Sequence, residues 1–116
     1  MTASPLAPSG PLIPMPEKTP AALRVAVGRL DATAVTKFDA HWETVMGQAR
    51  DEYSILPARH FTEHWWTWVA VTRWPARAAR FRELEKIAAE SADRSERRAA
   101  AAELGRILAE AGATAA

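Results

Sequence analysis

The sequence has 116 residues, enough for a single domain, with 15 basic against 14 acidic side chains and no cysteine. Disulfides, thiolate metal ligands and sulfur redox chemistry are excluded, and a charge balance so close to neutral gives no strong field for recruiting nucleic acid or anionic lipid. Nowhere do eighteen apolar residues run together, and the N-terminus lacks a basic start followed by an apolar run, so the expectation is a cytoplasmic protein with no membrane span and no secretion signal.

Residues 1–20 hold six of the eight prolines. Pro5, Pro8, Pro11 and Pro14 recur every third position, the period of polyproline II. Residues 1–18 are therefore expected to form a disordered, extended arm, with docking into a groove on another protein as the alternative. A helical domain is expected over residues 19–112, followed by a disordered tail at 113–116.

The first helix is expected at Thr19-Pro20, a capping residue followed by a proline at the first helical position, with Leu23, Ala26, Val27 and Leu30 on one face. Asp31-Ala32-Thr33 breaks it and offers caps for a second helix, whose stripe runs through Val35, Phe38, Trp42, Val45, Met46, Ala49 and Tyr53. After the break "YSIL", a third helix is expected from Pro57 to Trp74, where Pro75 forces a corner. A fourth turns Phe81, Leu84, Ala88 and Ser91 inward. Asp93 and Glu96 are spaced as an N-cap and its third-position carboxylate. They open a fifth helix with Ala100, Leu104, Ile107, Leu108 and Ala111 on its buried side and Gly112 as a left-handed C-cap. No segment alternates with a period of two. The fold class is all-α, a small bundle of four or five helices behind a proline-rich arm. Because much of the 48% apolar content is alanine, the five tryptophans and three phenylalanines must supply most of the core.

The third helix contains one pattern with chemical content. His60, Glu63 and His64 spell HxxEH, in which two histidines one turn apart hold zinc and the glutamate activates water. The two rings lie about 40° apart on the helix circumference, so both could reach one ion. A catalytic site also needs a third ligand and a cleft. The downstream carboxylates Glu83, Glu85, Glu90 and Asp93 sit on charged faces where none needs a special role. The expectation is that no metal or other cofactor is held and that His60 and His64 border the apolar stripe of Phe61, Trp65, Trp68, Val69 and Thr72. Zinc-dependent hydrolysis through His60, Glu63 and His64 is the alternative.

Trp66 falls with Arg59, Glu63 and Arg73 on the side that should be wet, and Trp74 lies towards another edge. Either the helix is central and covered on several sides, or these residues face a partner. Trp66, Trp74, Arg59 and Arg73 are the candidate partner-binding residues, since tryptophan and arginine dominate binding energy at interfaces. The basic side chains around Arg77, Arg80 and Arg82 spread over more than half of the helix circumference. No glycine turn or base-reading helix end accompanies them, so a DNA-associated regulator is only a further alternative.

The stretches "PMPEKTPAALRVAV", "RWPARAARFRELEKIA" and "AAELGRILAEA" resemble a family of small actinomycete proteins of uncharacterised activity, over about residues 14–112. The resemblance implies no catalytic residue. It implies an antitoxin-like or accessory role, because genes of such proteins often stand beside those of small toxin-like proteins. The resulting expectation is a non-enzymatic helical module that binds another protein, for which the resemblance implies a toxin-like partner.

Overall fold

The structure, a computed structural model, describes residues 10–115. Five helices follow one another, with no strand among the described residues: α1 (Pro20–Leu30), α2 (Ala34–Glu52), α3 (Leu56–Thr72), α4 (Pro75–Glu90) and α5 (Arg94–Ala115). The expected all-α class holds.

Most boundaries have a local cause. The hydroxyl of Thr19 accepts the Ala22 amide at 3.3 Å, and Pro20 occupies the first turn of α1. After α1, the carboxylate of Asp31 accepts from both the amide and the hydroxyl of Thr33, at 3.0 and 2.6 Å. That side-chain turn leads into α2, and Thr33 itself makes no side-chain cap bond. Trp74 does not extend α3. As the residue before Pro75 it takes φ −104° and ψ 106°, the extended region that a following proline favours. Asp93 caps α5, accepting the Ser95 and Glu96 amides at 2.8 and 3.4 Å. Glu96 reaches back to the Ser91 hydroxyl at 3.4 Å.

One expectation about the chain ends is corrected. Gly112 is not a left-handed C-cap, since no glycine among the described residues has positive φ and α5 runs on to Ala115. The tail expected from 113 is thus helical as far as it is described, and Ala116 lies outside the described residues. At the other end, residues 1–9 of the expected arm also lie outside them, but within residues 12–18 a few groups dock onto the helices. Ile13 is buried at 6% exposure, and Met15 packs against the core. The Leu12 amide donates to the Arg73 carbonyl at 2.7 Å, and the Arg73 guanidinium donates back to the Ile13 carbonyl at 3.3 Å. The composition of this stretch suggests disorder, yet one isoleucine and the corner of α3 are enough to fix it.

α3 is the central helix. It approaches α1, α2, α4 and α5, whereas α1 and α2 nowhere bring a Cα within 8 Å of α4 or α5. Towards α1 and α2 it buries Phe61, Trp65 and Val69 among Leu23, Val27, Phe38 and Val45. Towards α5 it buries Ala70 and Val71 against Ala111, with Phe81 and Ile107 alongside. Among the helices, the α4–α5 hairpin is therefore joined to the rest only through α3. Its alanines, including buried Ala78 and Ala100, permit close helix approach but cover little apolar area. The arrangement is open: the radius of gyration is 16.2 Å, against about 13 Å for a compact chain of this length.

Two residues assigned to buried stripes are exposed. Tyr53 is 97% exposed and Leu108 is 40% exposed. Tyr53 is the C-cap of α2, so its backbone has already left the helical phase that would carry its ring inward. Leu108 lies on the edge of α5 facing the space that α1 and α2 leave open.

Candidate functional site

The corner between α2 and α3 carries three of the six large hydrophobic side chains exposed among the described residues, Tyr53, Ile55 and Leu56. Tyr53 adopts φ 51° and ψ 45°, the left-handed region, as the only non-glycine residue described with positive φ. Left-handed backbone crowds a Cβ, and glycine is the usual occupant of this cap position. Just past it, Ile55 is 68% and Leu56 51% exposed. The turn is stiffened by Ser54, whose amide donates to the Ala49 carbonyl at 3.1 Å and whose hydroxyl accepts the Leu56 amide, also at 3.1 Å. Arg59, one turn into α3, is exposed beside this patch.

Leu56 and Pro57 also border a pocket of about 520 Å³ into which His41, His60 and His64 face, with Gln48, Glu52 and Phe61 completing much of the wall. The imidazoles are not equivalent. His41 Nδ1 accepts the indole N–H of Trp65 at 3.0 Å, so in the neutral ring the proton is on Nε2. His64 stands edge-on to the rings of His41 and Trp65, with centroids 5.5 and 5.3 Å away. Although His64 as a whole is exposed, burial of its ring and then the neighbouring His41 hold its imidazole below the ordinary histidine value.

A second concavity, of about 960 Å³, runs along α3 between the α1–α2 corner and the α4–α5 hairpin. Trp68 and Val71 lie on its floor, Phe81 and Leu108 on its far wall, and Asp31, Glu63 and Glu85 at its edges with Arg82. Its shape follows directly from the lack of contact between the two helix pairs.

The structure brings together some of the residues singled out in the sequence and separates others. Arg59 is exposed near the α2–α3 turn. Trp66 and Arg73 are half-buried on the far side of α3, where the chain's own residues 12–18 cover them: the Lys18 ammonium stands 4.7 Å over the Trp66 ring and pairs with Glu63 at 2.6 Å. The Trp74 ring has the guanidinium groups of Arg73 and Arg77 over it, at 5.5 and 5.8 Å. His60 and His64 share a face of α3, while Glu63, the water-activating residue of the zinc alternative, is held by Lys18. Among the described residues no group of three or more His, Cys, Asp or Glu side chains is placed to hold a metal ion. His41 cannot simply join the pair, because a metal on Nε2 would require a proton on Nδ1, where the Trp65 N–H already points. Of the basic residues on α4, Arg80 bridges Glu103 and Glu83 at 2.9 and 2.8 Å, and Arg77 donates to the Ala70 carbonyl.

Sequence reasoning missed His41 and the exposed turn. His41 carried a usable signal, since it falls on the stripe of Phe38, Trp42 and Val45. The turn carried one as well, in the three large apolar residues placed where the helical pattern breaks.

The sequence model described as "Family of unknown function (DUF6247)" matches residues 12–113. The chain belongs to this family. The matched span begins at Leu12, whose amide bonds to Arg73, so for this DUF6247 chain the packed segment before α1 and nearly all of the five helices fall within the family's domain. No curated protein and no solved structure matches the chain. No helix among the described residues is long and apolar enough to cross a membrane.

Proposed function

We propose that this chain is a non-enzymatic module that binds another protein through the α2–α3 turn, with Tyr53, Ile55 and Leu56 as the apolar centre and Arg59 at its rim. The observation that carries the reading is Tyr53, a large aromatic kept almost wholly in solvent on a backbone conformation that glycine would adopt at lower cost. Nothing within the fold is gained by that choice, whereas tyrosine is among the side chains that contribute most at binding hot spots. Local strain of this kind concentrates at functional sites. Ile55 and Leu56 extend the patch to the mouth of the histidine pocket, a shape that suits a protein partner inserting a side chain beside Phe61. On the family resemblance, the partner is a small toxin-like protein and the role antitoxin-like or accessory, in the cytoplasm of an actinomycete.

Affinity capture from the native host tests the reading. The wild-type chain should retain one partner in near-stoichiometric amount, and Ile55→Ser, a change at an exposed position, should release it. Recovery of the chain alone, or retention of the partner by Ile55→Ser, would refute it.

A further inference from the structure

Glu63, Trp66 and Arg73 lie on the side of α3 that its helical spacing assigns to water, yet each is met by the segment before α1. At one end of that segment the Leu12 amide donates to the Arg73 carbonyl at 2.7 Å, and Arg73 Nη1 donates to the Ile13 carbonyl at 3.3 Å. At the other end Lys18 pairs with Glu63 at 2.6 Å and stands over Trp66. Between them, Ile13 is buried and Met15 touches both the large core cluster and the smaller one beneath α5. Pro14 and Pro16 have no N–H to contribute, so the segment is fastened mainly at its ends. Under it, Arg73 Nε is buried without a hydrogen-bond partner, which lowers the cost of letting the segment go because release returns that donor to water.

We propose that residues 12–18 form a reversible latch. Docked, it covers Trp66 and Arg73 and bridges the two core clusters; released, it uncovers an aromatic and cationic face of α3 while the helices stay folded. Release is local because Ile13 is the one buried member that the segment adds to the large core cluster, while the rest, among them Leu23, Val27 and Val69 at 0% exposure, come from α1, α2 and α3 and pack on one another. The device is a property of the chain by itself and does not depend on a partner at the α2–α3 turn.

Amide hydrogen exchange on the full chain, read by NMR, tests it. In the wild type the Leu12 amide should be protected but exchange at least tenfold faster than that of Val69. Ile13→Ser should speed Leu12 exchange at least tenfold more, move the Trp66 indole resonance and leave Val69 unchanged. Lys18→Ala, at an exposed side chain, should also move the Trp66 resonance. Leu12 exchanging in step with Val69, or Ile13→Ser exposing both, would make the segment part of the cooperative core and overturn the latch. Leu12 exchanging as a free amide in the wild type, or a Trp66 resonance indifferent to both substitutions, would overturn it from the other side.

Discussion

The indole N–H of Trp65 donates to Nδ1 of His41 across 3.0 Å, joining α3 to α2 at the edge of the aromatic core. Trp65 is 5% exposed, so this donor has little access to water if its acceptor is removed. His41→Ala should therefore cost about 1–3 kcal/mol through the stranded donor, in addition to lost ring packing. His41→Asn, whose side-chain oxygen can stand near the position of Nδ1, should lose clearly less. Urea unfolding of the two variants measures the difference. Equal losses would show that the bond contributes nothing beyond packing.

The neighbouring His64 makes stability depend on pH in a defined direction. Its imidazole in the folded chain is held below the ordinary value of 6.5, first by burial and then by His41. As pH falls, the unfolded chain therefore takes up the proton first. Stability is full above about pH 6.5, declines below it, and levels off once the folded ring is protonated too. Asp39, bonded to Arg24, and Glu103, bonded to Arg80, are held below their ordinary values of 3.8 and 4.5, so what they contribute is lost only in a lower window, through and below that range. Urea midpoints at pH 7.5 and 5.5 should differ, and His64→Gln should shrink the difference. An unchanged difference would remove His64 as its source.

Gly105 and Gly112 both lie inside α5, and a Cβ added at either would meet no heavy atom within 4 Å. Alanine at Gly105 should stabilise the chain by about 0.5–1 kcal/mol, and at Gly112, in the last turn of α5, by less. Were Gly112 a left-handed cap, alanine there would instead destabilise. The sign of the Gly112→Ala effect in thermal unfolding distinguishes the two.

These positions illustrate which features could be read from the sequence. Five helices with close to their true bounds follow from Thr19-Pro20, the Trp74-Pro75 corner and the Asp93 cap, because such signals act within a few residues. Spacing alone assigns Phe61, Trp65 and Val69 to the core, and they are buried. Pairings between distant segments were not accessible in this way. The His41–Trp65 bond joins residues 24 positions apart, and the docking of Ile13 against the corner at Arg73 spans 60. Tyr53 was misassigned because a periodic stripe gives no notice of where the backbone turns left-handed. Leu108 was misassigned because burial at that position requires a neighbouring helix, and the separation of α1 and α2 from the hairpin leaves none.

Chain purified without a histidine tag should contain zinc well below one equivalent, and His64→Ala should leave that content unchanged. His60 and His64 have no third protein ligand placed beside them among the described residues, and Glu63 is engaged by Lys18. Elemental analysis is sufficient to check this. Stoichiometric zinc that disappears with His64→Ala would favour the hydrolytic alternative over a binding module.

The claim that Tyr53 is kept in solvent for an outside contact is tested most directly by thermal unfolding of Tyr53→Gly. Relief of the left-handed strain, partly offset by the greater freedom of glycine in the unfolded chain, should stabilise the fold by about 0.5–1 kcal/mol and raise Tm by about 2–5 °C. A lower Tm would contradict the account, since it would mean that the tyrosine ring supports the fold itself.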